Sequence, residues 1–201
     1  MLVDSGEDYY RAYELALEQE GLKLSPREVM LREGRRTSEV IASLYADRGI
    51  ALSPEKLDGL VARRLGFYKQ TARSIFFEGI WPLVSALRAA GYKLGIATGS
   101  SRIHDVFPLS AANEKLFDVV VTADDIQRPK PDPQPFQVAS ERVHIASANC
   151  LVVENAPLGI EAAHRAGCRA VAICTTLRAG DLREADWIVA NHHELELLLR
   201  S

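Results

Sequence analysis

Residues 150–174 read CLVVENAPLGIEAAHRAGCRAVAIC, and the fold turns on this stretch. Two short apolar runs, Cys150–Glu154 and Arg169–Cys174, bracket a helical segment that ends near Gly167. A strand, a helix and a second strand in that order make a βαβ unit, with parallel strands and a right-handed crossover. The same alternation continues on both sides. Upstream lie a helix over Trp81–Ala90 closed by Gly91, an apolar run over Lys93–Ala97, a further helical stretch, a strand over Asp118–Thr122 and a helix after Pro133. Downstream come a strand over Trp187–Ala190 and a leucine-rich helix. The pattern predicts an α/β fold with a parallel-sheet core.

Residues from about 7 to 75 follow another period. Tyr9, Tyr13, Ala16 and Leu17 share one helical face, and Val40, Ile41, Leu44 and Tyr45 share another. Ser25-Pro26-Arg27-Glu28 and Ser53-Pro54-Glu55 are helix starts, with Ser as N-cap and Pro in the first turn. The helix after Ser53 is expected to turn Leu57, Leu60, Val61, Leu65 and Tyr68 inward and to leave Arg63 and Arg64 as surface charges. No segment here alternates like a strand, so a helical unit is expected near the N-terminus of the α/β core.

At 201 residues the chain is long enough to bury a core without disulfides or structural metals. A net charge of −3 disfavours a nucleic-acid binder. Three cysteines without a CxxC pair argue against a disulfide framework or a zinc knuckle, and are expected to be small core residues. No apolar run reaches membrane-spanning length, and the opening MLVDSGEDYY is acidic and polar, so no membrane is expected and a cytoplasmic protein is.

Open parallel sheets bind ligands beyond the carboxyl ends of their strands. There the sequence places Thr98-Gly99-Ser100-Ser101, then Arg128-Pro129-Lys130-Pro131, then Glu154-Asn155-Ala156-Pro157-Leu158-Gly159, and Thr175-Thr176. The Thr98 hydroxyl and the Gly99 and Ser100 N–H groups suit phosphate oxygens. Lys130 adds a point charge in a proline-stiffened loop. Glu154 and the Asn155 oxygen are hard ligands suited to Mg²⁺. Each group also has a plain reading: a strand-to-helix turn, a solvated surface lysine, a turn and helix cap. Their order and repeated placement at strand ends favour the joint reading.

These motifs, taken in order, resemble the haloacid dehalogenase-like hydrolase superfamily, and within it the phosphatase and β-phosphoglucomutase-like branch. Thr98 matches the second motif, Lys130 in RPKPDPQPF the third, and Val152–Gly167 (VVENAPLGIEAAHRAG) the fourth. The segment Leu2–Tyr13 looks like the exit from the first strand into a cap. The resemblance covers essentially the whole chain. It implies a Rossmann-like hydrolase core over 1–4 and 76–201 with a helical cap domain over 5–75. It implies a Mg²⁺-dependent phosphoric monoester hydrolase acting on a small phosphorylated metabolite through an aspartyl-phosphate, with Thr98 and Lys130 as catalytic residues. A sugar-phosphate mutase of the same family is the nearest alternative, and a non-catalytic phosphate-binding relic is another.

Two departures stand out. The family's first motif, Asp-x-Asp-Gly, holds its nucleophile and is absent here; Asp4 lies just beyond its place and is expected to cap the first helix. The expectation is therefore a chain truncated before that motif, lacking the first strand and inactive as it stands. Asn155 replaces the usual Asp, which keeps an oxygen ligand and loses a charge. Gly34-Arg35-Arg36-Thr37 falls where the resemblance puts a substrate loop, so Arg35 and Arg36 are candidates for clamping a second anion. The alternative there is a solvated loop with Thr37 as N-cap. The five histidines show no ligand spacing, and His192-His193 is expected to open the last helix. Monomer and dimer both stay open.

Overall fold

The computed structural model describes residues 1–73, 75–99 and 110–200. Four helices open the chain: α1 (Gly6–Glu18), α2 (Pro26–Met30), α3 (Thr37–Ala46) and α4 (Pro54–Thr71). Their starts are those the sequence marks. Ser25 and Glu28 form a full capping box, and the Ser53 hydroxyl accepts the Lys56 N–H. The apolar stripes close on one another: Tyr13, Ala16, Leu17, Val40, Ile41, Leu44, Tyr45 and Leu60 form one buried cluster. Fully burying each large side chain contributes about 1.5–3 kcal/mol, so the unit has a core of its own.

Four local expectations fail here. Arg64 is 5% exposed, while Leu65 is 49% exposed. The inner face of α4 is thus rotated toward Arg64, whose guanidinium lies 4.6–4.8 Å from the ring centroids of Tyr9, Tyr13 and Tyr68. Asp4 does not cap α1: the N-cap position is Ser5 and carries no side-chain cap bond. Thr37 is the first residue of α3, with Arg36 at the N-cap.

The chain enters and leaves this unit side by side. Val3 pairs antiparallel with Phe76, the Asp4 N–H donates to the Ile75 carbonyl at 2.7 Å, and the Phe77 N–H donates to the Leu2 carbonyl at 3.0 Å. The α/β part then follows: α5 (Ile80–Ala89), β1 (Gly95–Ala97), α6 (Ala111–Glu114), β2 (Val119–Val121), α7 (Gln134–Arg142), β3 (Leu151–Glu154), α8 (Pro157–Arg165), β4 (Arg169–Ile173), β5 (Trp187–Val189) and α9 (His192–Arg200). As expected, His192 and His193 open the last helix.

All described strand ladders are parallel. β1 pairs with β2, and β4 lies between β3 and β5. The alternation along β4 builds two half-cores: Ala170 and Ala172 pack with Ile160, Ala162, Ala163 and Phe136 on one face, while Val171 and Ile173 pack with Ile80, Leu83, Val84 and Leu195 on the other. Strands β1 and β2 are shorter than the apolar runs that mark them. At their leading ends Asp118 replaces part of the ladder, its Oδ2 accepting the Leu94 N–H at 2.9 Å and its Oδ1 the Lys93 ammonium at 2.9 Å. Cys168 is buried and Cys150 and Cys174 are half-buried. No helix among the described residues is long and apolar enough to cross a membrane.

Candidate active site

The carboxyl ends of β1, β2 and β3 lead into the residues that the motif reading selects. The turn after β1 begins at Thr98, whose N–H donates to the Val121 carbonyl at 2.9 Å and so continues the β1–β2 register. Gly99 follows. Ser100, and Ser101 beyond it, lie outside the described residues.

The loop holding Lys130 is fixed from both sides. The Gln134 side-chain oxygen accepts the Gln127 and Arg128 N–H groups at 2.9 and 2.8 Å, and Arg128 pairs with Asp132 at 2.8 Å. The Lys130–Pro131 peptide is cis. The Lys130 ammonium lies 4.8 Å above the Phe136 ring and donates to Glu154 Oε1. Only 13% of the Lys130 side chain and 9% of the Glu154 side chain are exposed, so this is a desolvated pair.

Glu154 closes β3, and Asn155 follows it. Room for the Glu154 carboxylate exists because residue 159 is glycine: a Cβ there would fall 2.2–2.5 Å from the carboxylate atoms. The Asn155 N–H donates to Glu154 Oε2 at 3.2 Å. Its side-chain nitrogen donates to Glu33 Oε2 at 3.0 Å and to Thr176 Oγ1 at 3.1 Å. Burial, and then the neighbouring Glu154 carboxylate, push the Glu33 carboxyl above its ordinary range.

Glu33 comes from the helical unit, on the turn between α2 and α3. Gly34 makes this approach possible. Its φ is +105°, and a Cβ there would lie 3.1 Å from Lys130 Cβ. Arg35 and Arg36 come next. Arg36 donates to the Gln127 carbonyl at 2.6 Å, and both arginines wall a cavity of about 60 Å³ together with Gly34, Gly99 and Pro129. A second clasp joins the same two parts, with Arg27 Nε and Nη2 at 3.1 and 2.5 Å from Asp181 Oδ1.

Lys130, Glu154 and Asn155 therefore meet in one cluster, and Gly99 meets Arg35 and Arg36 across the adjoining cavity. Glu33 and Thr176 belong to the cluster too. Thr176 stands at a strand end already singled out, whereas nothing in the pattern around Glu33 marks it beyond its place directly before Gly34-Arg35-Arg36. Among the described residues no group of three or more His, Cys, Asp or Glu side chains is poised around a metal ion. The donors at 154 and 155 fit a hard divalent cation by chemistry, a carboxylate in a Gly159-lined recess beside an amide oxygen.

A family model described as haloacid dehalogenase-like hydrolase matches residues 1–173. The chain belongs to that family. It is 33% identical over 123 residues to validoxylamine A 7'-phosphate phosphatase of Streptomyces hygroscopicus subsp. limoneus, covering 61% of this chain and 58% of that protein. It is 34% identical over 110 residues to pyrophosphatase PpaX of Bacillus mycoides, covering 54% of this chain and 51% of the other. The matches thus span little more than half of these relatives' lengths. The solved structure of a hydrolase from Pseudomonas syringae superposes with a TM-score of 0.84 at 24% identity, over 99% of this chain and 92% of that one. That likeness bears on the fold alone.

Proposed function

We propose that the protein is a Mg²⁺-dependent phosphatase of small phosphorylated metabolites, with residues 5–75 acting as a cap over a hydrolase core of residues 1–4 and 76–201. A cytoplasmic setting belongs to the same reading. The observation that carries it is the buried Lys130–Glu154 pair at the strand ends, beside the Thr98–Gly99 turn. A lysine ammonium held against a carboxylate can exchange part of that contact for a phosphate dianion. The Thr98 hydroxyl and the N–H groups of Gly99 and Ser100 donate to the same anion, and Lys130 neutralises its charge. Glu154 and Asn155 hold the metal, which supplies charge compensation on the phosphoryl group. Arg35 and Arg36 clamp a second anionic group of the substrate from the cap side, and closure of the cap excludes water from the cavity they wall.

A second reading is phosphate binding without turnover, in which Lys130 and the Thr98–Gly99 turn hold the anion and no bond is broken. One assay separates the two. Release of inorganic phosphate from a panel of sugar and polyol phosphates is followed with Mg²⁺ and with chelator, using the chain extended upstream by a strand and Asp-x-Asp-Gly, alongside calorimetric binding of inorganic phosphate. Release that needs Mg²⁺ and is lost in Lys130→Ala supports the phosphatase. Lys130-dependent binding without release supports the second reading. Binding and release that both survive Lys130→Ala would sink the site assignment.

A further inference from the structure

Asn155 has two chemically different ends where a carboxylate would have two equal ones. Its oxygen is a hard donor for a cation, and its NH₂ group repels one. An amide at a metal site therefore needs something to decide which end it presents. Here the nitrogen is committed. Its two hydrogens have two acceptors, Glu33 Oε2 at 3.0 Å and Thr176 Oγ1 at 3.1 Å. The planar amide must then turn Oδ1 away from both. The backbone N–H of the same residue is tied to Glu154 Oε2 at 3.2 Å, which fixes residue 155 against the neighbouring candidate ligand.

We propose that Glu33 and Thr176 are positioning residues that lock the Asn155 amide with its oxygen toward the divalent cation. The inference rests on the metal reading of Glu154 and Asn155 given above. One acceptor comes from the exit of β4, where its methyl is pressed on Gly6, at 2.6 Å from where a Cβ there would lie. The other comes from the helical unit. Cation affinity thus depends on the helical unit being seated, since withdrawing Glu33 frees one Asn155 hydrogen and with it the amide orientation. An outer contact that orients a ligand is worth about 10–100-fold in metal affinity.

The test is Mn²⁺ binding, read from the electron paramagnetic resonance of the free ion and so independent of turnover. Glu33→Ala and Thr176→Val are each expected to weaken binding about 10-fold. Glu33→Gln keeps an acceptor oxygen while losing the charge, and is expected to stay near the parent. Asn155→Asp supplies two equal oxygens that need no orienting. In that background Glu33→Ala is expected to leave affinity nearly unchanged, because no amide is left to orient. Equal weakening by Glu33→Ala in both backgrounds, or loss in Glu33→Gln matching that in Glu33→Ala, overturns the proposal and leaves the metal site standing. Absence of Mn²⁺ binding in both the parent and Asn155→Asp overturns the metal reading with it. If Glu33→Ala loosens the interface too far to fold, Thr176→Val, which keeps the methyl packed on Gly6, carries the same test.

Discussion

Arg64 and Lys130 are both largely shielded from solvent, and their surroundings differ. Among the described residues no carboxylate pairs with Arg64, inside the helical unit. Three tyrosine rings surround the guanidinium, and among the same residues its Nε finds no hydrogen-bond partner. Lys130, at the end of the parallel core, has one ring beneath it and the Glu154 carboxylate on its ammonium. Rings satisfy a cation without offering it an exchangeable partner, so Arg64 serves packing. A carboxylate is a partner that a phosphate can compete with, so Lys130 is poised for ligand exchange. Arg64 lies within the core of the helical unit, whereas Lys130 directly follows Pro129, which lines the cavity with Gly34–Arg36.

Removing Lys130 is the strongest way to break the comparison. Lys130→Ala leaves the Glu154 carboxylate buried with no ammonium, and breaking such a pair costs about 3 kcal/mol. Inorganic phosphate binding is expected to disappear in calorimetry, and urea unfolding to report the lost stability. If phosphate binds the variant as it binds the parent, Lys130 is as structural as Arg64 and the contrast fails.

Much of the core could be read in the sequence, because strand ends, glycine stops and serine caps are local signals. The βαβ unit over Cys150–Cys174 is an example, trimmed by one residue in each of β3 and β4. The motif residues Lys130, Glu154 and Asn155 could be read for the same reason, each fixed by its place after a strand. Arg64 could not. A helical pattern assigns charge to the outside, and only the convergence of Tyr9, Tyr13 and Tyr68 from two helices turns that face inward. Glu33 also escaped, since its partner Asn155 lies far along the chain and the contact exists only once the helical unit is seated.

Arg64 gives the next largest effect. Arg64→Ala removes three ring contacts, each worth about 0.5–2 kcal/mol, and opens a void, for a combined loss of about 2 kcal/mol in urea unfolding. Arg64→Met refills the space and discards a buried N–H without a partner, so it is expected to cost less, about 1 kcal/mol. Inorganic phosphate binding stays intact in both. Weakened phosphate binding in Arg64→Met at unchanged stability would move Arg64 into the site and remove the distinction between the two cations.

The smallest effect is expected where charges meet in reach of solvent. Asp118 accepts the Leu94 N–H and pairs with Arg88 at 2.5 Å and Lys93 at 2.9 Å. The backbone N–H first, and then the two cations, hold its carboxyl far below the usual range near ~4. A carboxyl depressed in the folded state contributes stability above its unfolded pKa and loses it as pH falls toward the folded value. Asp118→Asn keeps an acceptor for Leu94 and loses the charge. Its Tm is expected to lie about 2 °C below the parent's at neutral pH. That gap closes as the solution is acidified below ~4, where the unfolded carboxyl of the parent is protonated and the advantage of the folded anion fades. A gap that persists unchanged into acid would mean that the carboxylate's shape, not its charge, holds β1 and β2 in register. In that case this edge of the sheet would be held by hydrogen bonding to Leu94, as Arg64 is held by packing, and not by charge.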